Sequence, residues 1–405
     1  MTADKPTPAP EQQPASPTNK QTAPPSMAPS RALSWASQIW AVMAMPVLAI
    51  LLALVVGAVV IAVTSALKPG ASFDLGLPLR AYQALFGGSL GNENGRVTTL
   101  VDAAPLMLAA LGVGLGFKAG LFNIGAQGQY LLGAVSAVAA ALLVRDTDPL
   151  IAIPFAIIVG AIAGALWGFI PGFLKAFSGA HEVVTTIMLN YIALYLVSWL
   201  ITYPLRQPRS PQPVTPSVGD AILPVLFGRD GHIGILLAFI AVPIVWFVLY
   251  RMTIGFQIRA VGANPDASRY AGMKPRRVIM LTMSAAGMLA GLGGTIDILG
   301  VTHQMPASYS TSVGFDAITV ALLGRSNPFG IMLAALLFGM MRAGAGPMQI
   351  QAGVPPELVD LLEAIILLFL VASPVIRRVF RLRGVKSSLG TTETMTRTYG
   401  SEAIR

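Results

Sequence analysis

The feature that most restricts the fold of this chain is a long stretch without a charged residue. No Asp, Glu, Lys or Arg occurs from Ile39 to Leu67, and most residues in this range are aliphatic. About 20 consecutive apolar residues are enough for a helix to cross the hydrocarbon core of a bilayer, whereas the apolar part of a signal peptide has only about 7 to 15. The stretch therefore predicts a transmembrane helix.

The rest of the chain repeats this pattern. Charged residues make up 11% of the sequence, whereas an ordinary soluble protein has about 25%. This is too little charge to cover the surface of a soluble protein of this length, so an all-α polytopic integral membrane protein with about ten transmembrane helices is predicted. The expected crossings are Ile39–Leu67, Val97–Gly116, Ile124–Val144, Leu150–Leu174, Val183–Tyr203, Ile233–Tyr250, Val278–Leu299, Gly314–Gly324, Asn327–Met341 and Leu358–Ala372.

Two of these spans, Gly314–Gly324 and Asn327–Met341, are too short to cross a bilayer independently. They are expected to form a broken or re-entrant pair around Arg325. Backbone groups freed by such a break are tolerated in a membrane only where neighbouring protein shields them.

The positive charge of the chain predicts its orientation. The formal net charge is +9 and the sequence pI is near 10, but most Lys and Arg residues lie between or after apolar runs, where they contact lipid headgroups. Membrane lipid, and not nucleic acid, is therefore the expected partner. With the N-terminus inside and ten crossings, 19 of the 27 Lys and Arg residues fall on the inner side and 8 on the outer side, Arg342 among the latter. Both termini are predicted to be cytoplasmic.

Composition divides the chain into three parts. Residues 1–33 are expected to form a disordered Pro-rich tail, with eight prolines in the first 30 residues. Residues 34–376 are expected to form the transmembrane domain, and residues 377–405 a basic cytoplasmic tail. Met27 is an alternative start of the chain.

Small residues recur at spacings that predict close helix packing. Gly160, Gly164 and Gly168 follow one another every four residues, as do Gly287 and Gly291. Such stripes let two helix backbones approach each other in a membrane.

Several kinds of chemistry are excluded by motif. The chain has no cysteine, and its three histidines are far apart in sequence, so no catalytic thiol and no metal site is predicted. No His-Glu-x-x-His or Walker A motif occurs. A transporter component without catalytic residues is therefore favoured over an enzyme, and ATP hydrolysis by this chain alone is excluded.

The loop between the sixth and seventh spans, residues 254–277, predicts one short helix with a signal at each end. Asn264 is a good N-cap, Pro265 suits the first helical position, and Asp266 complements the helix dipole. Gly272 can take the left-handed conformation that ends a helix, and Pro275 is expected to prevent its continuation.

A helix of two turns is marginal in water alone, so its capping needs a reason. A docking element for another protein explains both the capping and the polar, cationic surface that follows it. The predicted docking residues are Asn264, Pro265, Asp266, Ala267, Arg269, Tyr270 and Gly272. An ordinary positively charged cytoplasmic loop is the alternative interpretation.

Three stretches together resemble a known family. The loop is similar to the coupling-helix region of permease subunits in ABC importers of the ribose and branched-chain amino acid type. GFKAGLFNIGAQGQYLLGA, residues 116–134, and GAHEVVTTIMLNYIALYL, residues 179–196, look like hallmarks of the nucleoside (simple-sugar) branch. The resemblance covers about residues 35–385.

This resemblance implies a membrane permease that imports nucleosides or related simple sugars. It implies three protein partners: a second homologous permease, an ABC ATPase beneath it, and an external substrate-binding lipoprotein. ATP and Mg²⁺ would bind the ATPase, so no cofactor is expected on this chain. The implied location is the plasma (inner) membrane of a bacterium, and an ABC permease for branched-chain amino acids is the nearest alternative.

Polar residues inside predicted spans are candidates for the substrate pathway, because they are expensive to bury in lipid. Amides offer donors and acceptors to an uncharged polar substrate, although hydrogen bonding between helices is an equal alternative. Glu182 and Asn190 are expected to share one helix face, with Tyr191 nearby. The candidates are Asn123, Gln127, Gln129, Glu182, Asn190, Tyr191, Phe315 and Asp316.

Acidic residues support a rival function. An ion-coupled secondary transporter of small polar solutes would need intramembrane acids as couplers, and six are available: Asp102, Glu182, Asp297, Asp316, Asp360 and Glu363. Most of them are predicted near span ends. For Asp297 and Asp316, helix capping or an ion pair with a partner chain is favoured over substrate contact, and Asp360 and Glu363 are expected to complement the positive end of the last helix.

Overall fold

The computed structural model describes residues 31–66, 74, 76–309 and 311–372. The two expected tails lie mostly outside these ranges and stay predictions. The chain divides into two compact units, Met1–Ala44 and Met45–Arg405, and the first contributes only the beginning of one helix to the described residues. The helices are α1 (Arg31–Ala66), α2 (Leu77–Leu90), α3 (Glu93–Lys118), α4 (Ala126–Leu143), α5 (Pro149–Ser178), α6 (Glu182–Thr202), α7 (Gly234–Arg251), α8 (Thr253–Ala263), α9 (Pro265–Tyr270), α10 (Pro275–Asp297), α11 (Val313–Leu323), α12 (Pro328–Ala352) and α13 (Glu357–Val371).

Eight of the described helices are long and apolar enough to cross a membrane. They are α1 over Pro46–Thr64, α3, α4, α5, α6, α7, α10 with its π-helical extension Ile298–Thr302, and α12. Helices α2 and α13 are shorter, and α11 has only 11 residues, about 16 Å at 1.5 Å per residue. The predicted fold class, a polytopic α-helical membrane protein, is confirmed.

The prediction for the ninth span was wrong at its C-terminal end. The expected span stops at Met341, but α12 continues to Ala352 and is 25 residues long, so it can cross a membrane by itself. Arg342 therefore lies inside a helix and not in an outer loop. Its charge, and the Gly-rich sequence after it, conceal the continuing helix from a search for uncharged runs. Helix α2 was also missed.

Glycine contacts hold the centre of the bundle together, as the spacing predicts. A Cβ on Gly164 of α5 would lie 2.3 Å from the Gly287 carbonyl oxygen of α10, and a Cβ on Gly287 would lie 2.2 Å from the Gly164 oxygen. A Cβ on Gly133 of α4 would meet the Gly291 backbone at 2.3 Å. Helices α4, α5 and α10 thus pack backbone to backbone, which only glycine permits at these positions.

The long connection between α6 and α7 folds over the segment that follows α10. It contains a short antiparallel hairpin, Val225–Phe227 with Gly231–His232. The Thr215 amide donates to the Met305 carbonyl at 3.0 Å, and the Thr215 hydroxyl accepts from the Met305 amide at 2.9 Å. This pairing satisfies backbone groups at the end of the bundle where helices α6, α7 and α10 meet their loops.

Candidate functional site

The short loop helix α9 forms where the sequence predicts it. The Asn264 side-chain oxygen accepts hydrogen bonds from the Asp266 and Ala267 amides, both at 3.0 Å, and Pro265 is the first helical residue. Gly272 is left-handed, with φ of 80°, and its amide donates to the Arg269 carbonyl at 3.0 Å. Both predicted ends of the helix are confirmed.

Two details of the loop differ from the prediction. The loop contains two helices, because α8 precedes α9 and the two are joined at Asn264. Pro275 does not simply prevent a helix but begins α10, since a proline suits the first helical position as well as it blocks later ones. The sequence signal for α8 was present as the apolar positions Ile254, Ile258 and Val261 at helical spacing.

Nearly all of α9 is left exposed. Ser268 is its single buried residue among those described, and the Ser268 hydroxyl donates back to the Asn264 carbonyl at 2.8 Å. The Tyr270 side chain is 95% exposed, and Asp266, Ala267 and Arg269 are exposed beside it. An exposed tyrosine and arginine on a well-capped helix are the residue types that concentrate at binding hot spots.

Helix α8 connects α9 to the interior of the helix bundle. A Cβ on Gly262 would lie 2.3 Å from the Lys118 carbonyl oxygen and 2.7 Å from the Ala119 carbonyl carbon. Opposite it, Gly120 is left-handed, with φ of 72°. The end of α8 therefore packs directly on the backbone of the α3–α4 connection, three residues before Asn123.

The amide side chains at the start of α4 form a buried cluster. The Asn123 amide nitrogen donates to the Gln129 side-chain oxygen at 3.0 Å, and the Gln129 nitrogen donates back at 3.3 Å. The Gly125 amide also donates to Asn123 at 3.0 Å. Asn123 and Gln129 are each 1% exposed, so they brace the turn that begins α4.

Two further amides join this turn to other helices. The Asn190 side chain on α6 accepts from the Gly128 amide at 2.8 Å and donates to the Ile124 carbonyl at 2.9 Å. The Gln127 side chain donates to the Thr311 carbonyl at 2.6 Å and accepts from the Gly314 amide at 2.9 Å. We call Asn123, Gln127, Gln129 and Asn190 the amide cluster. Their contact with substrate stays a prediction, because each is hydrogen-bonded within the chain here.

The remaining candidates on α6 separate into two faces. Glu182 and Asn190 share the buried face, as expected, and Glu182 forms an ion pair with Lys175 at 3.0 Å. Tyr191 lies on another face and is 57% exposed. The structure therefore does not place Tyr191 beside the two polar side chains.

Acidic residues from α11 and α13 converge on Arg342 of α12. Arg342 pairs with Asp316 and lies 3.7 Å from a Glu363 carboxylate oxygen. Its Nη2 also donates to the Ser312 hydroxyl at 3.2 Å, and that hydroxyl donates to Asp316 at 2.5 Å. We call Arg342, Asp316, Glu363 and Ser312 the ion network. Asp316 thus pairs within its own chain, and Glu363 is more than a helix-dipole partner.

Asp297 at the end of α10 has a different set of partners. Its carboxylate accepts from the Tyr130 hydroxyl at 2.7 Å and from the Tyr309 hydroxyl. Asp102 on α3 lies close enough to interact electrostatically with both Arg342 and Asp297. The sequence analysis did not identify Arg342, Tyr130 and Tyr309 as partners of these acids. The only signal was the position of the acids inside predicted spans, which requires a cation or a hydrogen-bond donor opposite each of them.

Metal binding finds no support in the described part of the chain. No group of three or more His, Asp or Glu side chains within those residues could hold a metal ion.

Known proteins with similar sequences point to transport. Residues 95–371 match the protein family described as branched-chain amino acid transport system / permease component. The match covers more than half of the chain and includes all helices from α4 to α13, with both the amide cluster and α9.

Three curated proteins are similar over most of their length. The guanosine ABC transporter permease protein NupP of Bacillus subtilis is 40% identical over 82% of this chain and 94% of its own. The nucleoside ABC transporter permease protein NupB of Lactococcus lactis is 36% identical over 78% and 89%, respectively. The glucose ABC transporter permease protein TsgB13 of Haloferax volcanii is 34% identical over 84% and 90%.

Proposed function

Because the chain belongs to the family of permease components of branched-chain amino acid transport systems, we propose that this membrane subunit of an ATP-driven importer carries nucleosides into the cell. The chain is a multi-pass membrane protein and a transporter component, as its motifs suggested. The observation that carries the substrate proposal is the 40% identity to a guanosine permease over 94% of that protein. Simple sugars are the second candidate, since a glucose permease is 34% identical.

The proposed coupling element is α9. Its protruding side chains, Arg269 and Tyr270, are free of the rest of the bundle, and a groove on the ATPase would receive them as it receives a docked helix. Movement of α9 would pass to α8 and from the Gly262 contact to the α3–α4 connection and the amide cluster. ATP binding and hydrolysis would thereby bias two permease conformations differently.

The proposed assembly has four kinds of chain. This permease pairs with a second, homologous permease, an ABC ATPase holds ATP and Mg²⁺ on the cytoplasmic side, and an external lipoprotein delivers the substrate. The proposed location is the inner membrane of a bacterium, with both termini cytoplasmic. Net positive charge and the basic residues around α9, such as Arg276 and Arg277, support this orientation.

An ion-coupled transporter remains the rival function, and the partners of its candidate acids argue against it. Glu182 pairs with Lys175, Asp316 and Glu363 with Arg342, and Asp297 accepts from two tyrosines. These pairings explain why the acids are tolerated in a membrane without a role in ion coupling. A coupling acid would have to give up such a partner in every cycle.

Uptake by the reconstituted complex tests the proposal. The permease pair, ATPase and lipoprotein are placed in liposomes, and uptake of labelled guanosine, uridine and glucose is measured with ATP inside and no ion gradient. ATP-dependent nucleoside uptake is the expected result. Uptake of glucose alone would move the proposal to sugars, and uptake that needs a proton or sodium gradient instead of ATP would establish the rival.

Cysteine labelling tests the orientation. The chain has no native cysteine, so single replacements at the exposed positions Gln212 and Ala271 can be probed with a membrane-impermeant thiol reagent in intact cells. Gln212→Cys should be labelled and Ala271→Cys should be protected until the membrane is opened. The reverse pattern would place α9 outside the cell, away from any ATPase.

A further inference from the structure

The ion network lies at a depth where charges are expensive. Arg342 is 14 residues from the first residue of α12 and 10 from the last, which at 1.5 Å per residue is about 21 Å and about 15 Å from the two ends. Because the hydrocarbon core is about 30 Å thick, the Arg342 side chain leaves the helix at a depth well inside this core. Charges at this depth face the bundle interior or a water-filled path.

The network is only partly enclosed by its own chain. The Arg342 and Asp316 side chains are 21% and 20% exposed, and Ser312 beside them is exposed. Lipid cannot solvate these groups, so the surface they share must face a protein or an aqueous path. Phe315, the neighbour of Asp316 in sequence on α11, is 47% exposed.

Hydrogen-bonding capacity is left over in the network. Arg342 has five N–H donors. Among the described residues, its hydrogen bonds are made by Nη2 alone, to Asp316 and to Ser312. Glu363 is 4% exposed, and its Oε1 has no hydrogen-bond partner there, since Arg342 Nε is 3.7 Å away. A buried carboxylate oxygen without a donor is costly unless something else completes the site.

The amide cluster contrasts with this. Each of its side chains uses both its oxygen and its nitrogen within the chain, through Gly125, Gly128, Gly314 and other partners. A substrate could reach those amides only by breaking existing bonds. In the ion network, by contrast, Arg342 keeps N–H donors that have no hydrogen-bond partner among the described residues, and Phe315, which precedes Asp316, is exposed.

We propose that Arg342 and Asp316, together with Phe315, contact the nucleobase during translocation and set the preference among nucleosides. This inference rests on the proposed nucleoside substrate. An arginine donates two parallel hydrogen bonds to the O6 and N7 acceptors of guanine, and a carboxylate accepts from base N–H groups. An aromatic ring stacks on the face of any base.

Pairing of opposite charges also suits a site that must release its ligand. Arg342 lies between two acids, Asp316 and Glu363, so an uncharged nucleoside meets paired charges of opposite sign rather than an isolated ion. A translocation site must bind tightly enough to admit its cargo and weakly enough to let it leave.

The decisive measurement is a ratio of uptake rates. Complexes with wild-type chain, Arg342→Lys or Phe315→Leu are reconstituted with the same ATPase and lipoprotein, and guanosine and uridine uptake are compared. Arg342→Lys keeps the charge but loses the forked donor pair, so guanosine uptake should fall about tenfold and uridine uptake by no more than about threefold. Phe315→Leu should lower the guanosine-to-uridine ratio about threefold, because purines offer the larger face for stacking.

A second ion pair in the chain supplies the control. Arg80 pairs with Asp74 at an exposed position, so Arg80→Lys removes a guanidinium from a carboxylate with no expected change in the ratio. Equal loss of both nucleosides in Arg342→Lys, with normal ATPase co-purification, would overturn the inference and make the network a brace. If that variant fails to assemble, an unchanged ratio in Phe315→Leu overturns it, and a shifted ratio supports it. A wild-type complex that moves neither nucleoside would instead refute the proposed function.

Discussion

The loop helix α9 and the amide cluster are both polar regions of an apolar chain, but they satisfy their polar groups in opposite ways. In α9 the cap of Asn264 and the stop at Gly272 use hydrogen bonds within nine residues of sequence. In the amide cluster, Asn190 and Gln127 bond to groups 62 to 187 residues away. One region is complete by itself, and the other exists only once the bundle has folded.

This difference suits the two regions to different roles, binding a partner and holding helices together. A locally stabilised helix can leave its side chains exposed, and α9 exposes Arg269 and Tyr270. Side chains of the amide cluster are used up in holding α4 to α6 and α11. Substitutions in α9 should therefore change association with a partner at constant stability, whereas substitutions in the cluster should change stability first.

The largest effect is expected at Tyr270. Tyr270→Asp places a charge where an aromatic anchor would be buried on docking, and loss of such an anchor costs about 2 kcal/mol or more. Association with the ATPase should weaken at least about 30-fold, and ATP-dependent uptake should fall to background. Co-purification and uptake measure the two effects, and the melting temperature of the permease should not change.

A second tyrosine provides a control for Tyr270. Tyr250 on α7 is only partly exposed and carries Arg259 over its ring at 5.1 Å, so Tyr250→Phe keeps that contact and should leave ATPase association unchanged. If Tyr270→Asp also bound the ATPase normally, α9 would be an ordinary connector and its exposed side chains would have no docking role.

The next effect is expected in the amide cluster. Asn190→Leu leaves the Gly128 amide and the Ile124 carbonyl without partners, and each buried orphan costs about 1 to 3 kcal/mol. We expect the free energy of unfolding in detergent to drop by about 2 to 4 kcal/mol, with uptake lowered in proportion to the folded fraction. Met188→Leu, an exposed conservative change on the same helix, should alter neither.

The opposite pattern at Asn190 would be informative. A variant that melts like the wild type but loses nucleoside uptake would assign Asn190 to substrate contact, as the polar-stripe interpretation of the sequence allows. The amide cluster would then share the pathway with the ion network.

These two regions also show how far sequence reasoning reaches. The caps of α9 could be predicted because Asn264, Pro265 and Gly272 act on neighbours a few residues away. The amides could be picked out as buried polar residues, but not their partners, since the pairing of Gln127 with α11 depends on how distant helices pack. Arg342 was misplaced because a charge at the end of an apolar run resembles a loop boundary, and only its acidic partners show that the helix continues.

A smaller effect is expected at the α8 contact that lies between the two regions. Gly262→Ala puts a Cβ 2.3 Å from the Lys118 carbonyl oxygen, so α8 must shift away from the α3–α4 connection, at about 1 to 3 kcal/mol for an overpacked contact. ATPase association should survive, but substrate-stimulated ATP hydrolysis and uptake should fall several-fold together. Gly87→Ala, where a Cβ meets nothing within 4 Å, should be silent. Full uptake in Gly262→Ala would mean that motion reaches the bundle by another route.

The smallest effect concerns the cap of α9 itself. Asn264→Ala removes the acceptor for the Asp266 and Ala267 amides, which costs about 1 kcal/mol. If the isolated loop is near its midpoint, the helix population falls about threefold. Because a partner binds only the folded helix, the apparent Kd of the ATPase should rise by the same factor. Asn264→Asp keeps the acceptor oxygen and should bind like the wild type. If Asn264→Ala bound equally well, the packing that buries Ser268 would be enough to hold α9 in place. The independence of α9 from the bundle, which distinguishes it from the amide cluster, would then be disproved.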